Sequence, residues 1–264
     1  MKKISVLIPT YKPDWYLERC LHSIEAQTLS KNNFKVYIAL NGKKNGYEQY
    51  VGNLLEKCHF YYEYIYIEEA SVSNSRNVLI EKSIEDYITF LDDDDVLSPT
   101  YLESLLAVSS EYVVGISNIY NFERNINERK PNYIGDSFFK LPALEKSKFK
   151  SRKYFSSPCA KLIHRNIIGE TRFNRKLDMG EDALFMTMIS SNVKAVMKSD
   201  SEAIYYVFER ANSLSRKKIQ RSYEIKRIVY LLMKYSVLFA KAKKNHLFIA
   251  TRFAATLKFI RRLF

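Results

Sequence analysis

The chain predicts an α/β fold with a mostly parallel sheet and a helical extension at its C-terminal end, on three observations. Apolar, β-branched runs alternate with segments of helical period through the first hundred residues. Polar or turn-forming residues follow those runs directly, among them Thr10-Tyr11, Asn41-Gly42 and Asp92-Asp93-Asp94-Asp95. From residue 222 onward, apolar side chains recur at helical spacing among basic ones. Strands alternating with short helices need right-handed crossovers, so the strands run parallel and the loops after them collect on one edge.

Residues 4–8 read as the first strand, followed by Leu17, Cys20, Leu21 and Ile24 at helical spacing. A second strand over 34–40 leads to a helix near 47–56, and a third over 61–67 to a helix over 73–82. The run 87–91 is the strand that delivers the four aspartates, and Ser98-Pro99-Thr100 opens another helix. Beyond residue 106 the order loosens. A strand is expected over 113–118, and 121–153 is a polar, loop-rich insert with a helix near Leu144. Short strands at 161–164 and 193–197 flank Gly180-Glu181-Asp182 and a helix over 183–189; a further strand spans 203–208. Helical period returns over 222–240, and 247–264 reads as an amphipathic basic helix. The expected organisation is a unit over 1–215, with halves 1–106 and 107–215, and an extension over 216–264.

Composition narrows the class. With 264 residues and 47% hydrophobic content the chain can bury a sizeable core. Cys20, Cys58 and Cys159 are odd in number and far apart, which suggests neither a disulfide framework nor a zinc site. No signal-peptide core and no run of about 18 apolar residues is visible, so a cytoplasmic protein is expected, with a peripheral station on the inner face of the cell membrane as an option. The net charge of +13 is local: residues 216–264 hold 14 of the 42 Lys and Arg and one of the 29 acids, which leaves 28 of each sign elsewhere. A nucleic-acid binder would spread basic and aromatic residues over a face of the fold, whereas here the body is neutral and the loop edge acidic.

Four adjacent carboxylates repel one another, and folding alone gains little from concentrating them. A divalent cation with oxygen ligands would use that repulsion; a solvated acidic turn capping the next helix is the competing account. Four stretches then resemble, in order, the motifs of the family 2 glycosyltransferases: Ser5-Val6-Leu7-Ile8-Pro9-Thr10-Tyr11, Ser75-Arg76-Asn77, Phe90-Leu91-Asp92-Asp93-Asp94-Asp95 and Gly180-Glu181-Asp182. The resemblance covers about residues 4–215 and is to the non-processive bacterial type: Trp15 is the only tryptophan, so a Gln-x-x-Arg-Trp motif is absent.

What the resemblance implies is a GT-A fold and an enzyme, a hexosyltransferase. It would move a hexose or N-acetylhexosamine from a nucleotide sugar to a glycan hydroxyl, with a divalent cation and inversion, in cell-surface polysaccharide or glycoconjugate synthesis. On this similarity Asp94 is the direct metal ligand and Asp92 a metal or ribose contact, with Asp93 near the nucleotide. Asp182 is the base for the acceptor hydroxyl and Glu181 orients the acceptor. Pro9, Thr10, Tyr11, Asn41, Arg76 and Arg210 line the donor site. Manganese and magnesium both suit such oxygen ligands. Asn41 stands where an aspartate is common, yet its amide both donates and accepts, so a UDP sugar remains the expected donor. Arg210 or Arg216, in a loop that closes over the donor, meets the diphosphate; Lys161 lies on the acceptor side; Asp95 faces the acceptor or caps the next helix.

Expected partners are the nucleotide sugar, a lipid-linked or protein-linked glycan, and an anionic membrane surface or a second subunit through the C-terminal helices; no nucleic acid is expected. A catalytically silent sugar-nucleotide-binding partner is the alternative, and would keep the aspartate cluster while tolerating loss of Asp182.

Overall fold

A computed structural model describes residues 3–210 and 220–262. Four parallel strands form one half of its large sheet: β1 (Ile4–Thr10), β2 (Phe34–Asn41), β3 (Tyr61–Ile67) and β4 (Tyr87–Phe90). All seven residues of β1 are buried, as expected of a strand covered on both faces. The crossovers are α1 (Tyr16–Glu25), α2 (Tyr47–Leu55) and α3 (Val72–Lys82). In α1, Leu17, Cys20, Leu21 and Ile24 turn to the sheet, the spacing seen in the sequence. In α3 the Ser71 hydroxyl accepts the Asn74 amide and caps the helix that carries Arg76.

Past β4 come β5 (Val96–Leu97), α4 (Tyr101–Val108), β6 (Val113–Ile116) and β7 (Asn118–Phe122). The single strand expected over 113–118 is thus two, in different sheets. Buried Ser117 is the crossing point: its amide donates to the Ala160 carbonyl, and the chain then leaves the large sheet for the small one. The insert holds β8 (Lys130–Pro131), α5 (Gly135–Phe138) and β9 (Leu144–Glu145). Leu144 lies in a strand, where a helix was expected; β9 pairs antiparallel with β11 (Ala195–Lys198) through Met197 and Val196. The chain also forms β10 (Lys161–His164), α6 (Arg165–Ile168), α7 (Glu181–Ile189) and β12 (Ile204–Phe208).

The large sheet has the order β3-β2-β1-β4-β10-β6-β11-β9, and the small one β5-β12-β7-β8. In the large sheet only β10 and β9 oppose the common direction. Two helices end the described chain, α8 (Arg221–Lys241) and α9 (His246–Leu257), followed by a 3-10 turn over Lys258–Arg262. Leu231, Tyr235, Phe248 and Ile249 from these helices join the same apolar core as β1 and β4. Among the described residues, no helix is long and apolar enough to cross a membrane.

Candidate active site

The carboxyl ends of β1, β2 and β4 meet at one edge. Asn41 Nδ2 donates to the Thr10 carbonyl at 2.7 Å, and the Thr10 hydroxyl donates to Asp93 Oδ2 at 2.5 Å. Gly42 has φ +91°, and a Cβ there would stand 2.8 Å from the Tyr11 ring; only glycine lets the backbone pass so close to that aromatic. Pro9 and Thr10, expected after the first strand, belong to it, paired with Ala39 and Leu40. The Thr10 side chain is spent on Asp93 and buried Asn41 on the Thr10 backbone, so both brace the site while Tyr11, 44% exposed, stands open to a ligand.

Three of the four aspartates are withdrawn from solvent, Asp93, Asp94 and Asp95 being 7, 8 and 4% exposed, while the Asp92 side chain is 41% exposed. Burial pushes the Asp93 carboxyl up to about 7, with Asp94 beside it adding to the shift. Asp94 is raised to about 6, again chiefly by burial and then by Asp92. Arg210 answers this charge, with Nε 2.5 Å from Asp94 Oδ2 and Nη2 4.0 Å from Asp93 Oδ1, and its guanidinium lies over the Tyr16 ring. Asp95, for which the sequence left acceptor or helix cap open, bonds here to a strand and not to a helix end. Its Oδ1 accepts the Phe208 amide at 2.8 Å, which ties the cluster to β12 of the small sheet.

Asp92 turns to the other half of the site. Arg76 Nη2 donates to Asp92 Oδ1 at 2.9 Å and Arg76 Nη1 to Asp182 Oδ1 at 2.6 Å. The Arg76 side chain is 4% exposed. Burial opposes its charge, but Asp182 and Asp92 outweigh that and push the guanidinium pKa up. Its neighbour Asn77 clamps the chain ahead of α7: Asn77 Nδ2 donates to the Phe173 carbonyl and Asn77 Oδ1 accepts the Phe173 amide, at 2.9 and 2.7 Å. The Phe173 ring then stacks on Phe185 of α7, with centroids 3.9 Å apart.

Gly180, at φ +87°, starts α7 and sets Glu181 and Asp182 in its first turn, where the helix dipole favours negative charge. Burial nevertheless raises Asp182, against the pull of Arg76. Glu181 is raised to about 7 by burial and then by Asp182. Its Oε2 is buried and makes no hydrogen bond to the described residues.

Lys161 is not the acceptor contact expected of it. It is 2% exposed, and its ammonium donates to the Ser157 carbonyl at 2.6 Å and to that of Cys159. Burial pushes its pKa down from 10.5 to about 7. The unfolded chain therefore binds more protons over that window, so this group's cost to stability is full below pH about 7 and fades as the pH climbs toward about 10.5. Lys161→Met, which removes the titration, is expected to gain most over the parent near pH 6 and least near pH 10.5, read by thermal unfolding.

Sequence reasoning missed Arg19, Tyr16 and Tyr205. Arg19 is held among the rings of Trp15, Phe122 and Phe208 and donates to the Asp94 carbonyl at 3.1 Å; the Tyr205 hydroxyl accepts the Asp92 amide at 3.2 Å. None lies in a motif, and only the approach of β12 to the aspartates brings Tyr205 there. Of the late loop, Arg210 is placed, whereas Arg216 lies outside the described residues.

Comparison with known proteins identifies the family. The family model for glycosyl transferase family 2 covers residues 5–172. The chain belongs to that family. Glycosyltransferase GlyA of Streptococcus pneumoniae is 29% identical over 141 residues, 52% of this chain and 20% of that protein. The poly(ribitol-phosphate) β-N-acetylglucosaminyltransferase TarS of Staphylococcus aureus is 23% identical over 212 residues, 80% of this chain and 36% of TarS. This family 2 chain therefore spans about a fifth to a third of these two relatives. A crystal structure of TarS residues 1–349 with UDP-GlcNAc superposes with a TM-score of 0.78 at 22% identity, over 97% of this chain and 71% of that one. A mannosyltransferase from Pyrobaculum calidifontis, solved with GDP-Man and Mn²⁺, gives 0.68 at 12% identity, over 99% of this chain and 72% of that one. The GT-A fold expected from the motifs stands.

The site fits a hard divalent cation in one way. Among the described residues no three His, Cys, Asp or Glu side chains gather to cage a metal. Asp94 offers carboxylate oxygen and already holds a cationic group, Arg210. Magnesium-like ions at nucleotide sites commonly take one or two carboxylates and complete their shell with substrate phosphates and water. Asp94, with Asp92 beside it, would hold the ion on those terms.

Proposed function

We propose that the chain is a metal-dependent, inverting glycosyltransferase that moves a hexose or N-acetylhexosamine from a UDP sugar to a glycan hydroxyl in cell-surface polysaccharide or glycoconjugate synthesis. The observation that carries this reading is Arg76 joining Asp92, at the end of β4, to Asp182, at the start of α7. A donor-side carboxylate and a candidate base are thereby held on one guanidinium. The complexes of TarS with UDP-GlcNAc support the donor class, and the Mn²⁺ in the mannosyltransferase supports the cation.

In this reading Tyr11 packs on the nucleobase, and Arg76 and Arg210 offset the diphosphate charge. Asp94 would hold a divalent cation, which would supply Lewis-acid stabilisation to the leaving diphosphate. Asp182 accepts the acceptor hydroxyl proton as that oxygen bonds to the anomeric carbon and the bond to the diphosphate breaks, its electron pair leaving with the phosphate. Glu181 orients the acceptor through its unbonded Oε2. Residues 1–215 form the catalytic unit, with donor and acceptor halves meeting near residue 106, and 216–264 an extension facing a membrane or a second subunit. A cytoplasmic station follows from a UDP donor.

A panel of UDP sugars with Mn²⁺ or Mg²⁺ tests this reading. Hydrolysis of at least one donor, abolished by chelation, is expected; no hydrolysis or transfer with any donor would favour the silent-partner alternative.

A further inference from the structure

The outer face of α8 is apolar, and the fold does not use it. The inner face is committed: Ile228, Leu231 and Tyr235 are buried, and Glu224 pairs with Arg227 at 2.6 and 2.8 Å. On the opposite side Ile225, Val229, Met233 and Val237 follow one another at four-residue spacing, 50, 51, 61 and 50% exposed. At 1.5 Å per residue that stripe is about 18 Å long. A helix apolar on both faces is expected where both faces are covered.

The charge around the stripe decides what covers it. Arg221, Lys226, Lys234 and Lys241 are exposed along α8, and Lys243 and Lys244 follow. The only acid in 216–264, Glu224, is 2% exposed and spent on Arg227. A second copy laid against this face would bring like charges together. An anionic bilayer meets both demands, since headgroups attract the ammonium groups and the boundary below them takes the apolar side chains.

We infer that α8 lies in the surface of an anionic lipid bilayer with Ile225, Val229, Met233 and Val237 inserted. This deepens the membrane-facing role proposed above and rests on it, and it places the contact on α8. In α9, Phe248, Ile249 and Arg252 are buried in the body. The docked helix also supports the active site: Arg227 Nη1 donates to the Met179 carbonyl, and Leu231 packs against Gly180, directly before Glu181. The acidic pair of α7 thus begins within about one helix diameter, ~10 Å, of the docking helix. That suits an acceptor tethered to lipid.

Sedimentation of the full chain with vesicles tests this without any sugar transfer, so it can fail while the transferase reading stands. Equimolar phosphatidylglycerol and phosphatidylcholine vesicles should bind the chain and release it at high salt, and phosphatidylcholine alone should not bind it. Val229→Glu with Met233→Glu should lower the partition coefficient about tenfold or more. Leu257→Glu in α9, equally exposed, should leave it within about twofold. Circular dichroism and the thermal midpoint should be those of the parent, because both stripe residues are exposed. Equal binding to neutral vesicles, no binding to anionic ones, or unchanged binding by the stripe variant would overturn the inference. So would light scattering that finds a dimer which the stripe substitutions dissociate.

Discussion

Asp182→Asn is expected to lower the transfer rate by about 10² to 10⁴, the usual contribution of a positioned base, while leaving UDP-sugar binding close to that of the parent. Two features set this expectation. Asparagine keeps the shape and still accepts a hydrogen bond from Arg76 Nη1, now 2.6 Å from Asp182 Oδ1, so the local packing survives. It cannot take the hydroxyl proton, so the loss falls on kcat. Donor affinity, read by calorimetry with Mn²⁺ present, then separates base from binding. Glu181→Gln provides the counter-test. In the resting structure Asp182 is neutralised by Arg76, whereas Glu181 keeps a buried, unbonded oxygen and a pKa raised to about 7, a value suited to a base near neutral pH. If Glu181 only orients the acceptor, its variant should raise the acceptor KM and spare most of kcat. An Asp182→Asn enzyme that stays active beside a dead Glu181→Gln enzyme would move the base role by one residue.

Legibility of the fold tracks how local its causes are. The units from β1 to β4 could be read because β1, β2 and β4 are runs of mostly buried residues ended by polar ones, β3 is a β-branched and aromatic run at the sheet edge, and α1 keeps one apolar face toward the core. The crossing at Ser117 could not, because β6 and β7 follow one another with only Ser117 between them and nothing in 113–122 shows that they enter different sheets. A two-residue strand such as β9 has no period to detect, and its pairing depends on β11, some fifty residues away. The site divides in the same manner. Asp92, Asp94, Glu181, Asp182 and Arg76 stand in compact motifs, which resemblance can find. Their distribution over two arginines is tertiary: Arg76 takes Asp92 and Asp182, and Arg210 takes Asp94. So is the bond from Asp95 to the Phe208 amide, which joins residues 113 positions apart. The extension misled in an instructive way. Its apolar period placed α8 correctly but could not show that the helix carries a second apolar face, because the buried and exposed stripes interleave along one sequence.

Arg76 should prove the most consequential residue for stability as well as for function. It is buried, and the two carboxylates it bonds come from different elements, the end of β4 and the first turn of α7; no other described ion pair takes both. Arg76→Met would leave Asp182 without its main positive neighbour in a site where burial already disfavours its ionised form. Breaking a fully buried pair from one side typically costs about 3 to 5 kcal/mol; solvent reaches the Asp92 and Asp182 side chains, 41 and 27% exposed, and brings the cost here below that range. A thermal midpoint lowered by several degrees is therefore expected, along with loss of transfer. Arg76→Lys separates the two consequences. An ammonium preserves the charge but cannot present two parallel donors to two carboxylates, so stability should fall by less than in the methionine variant. Activity should still drop well below the parent, because a single point charge cannot hold Asp92 and Asp182 together. Arg76→Met combined with Asp182→Asn removes the stranded charge along with its partner, and should recover part of the stability lost in Arg76→Met. A double variant no more stable than Arg76→Met would show that the pair contributes little, and that Arg76 is held by packing against Phe173.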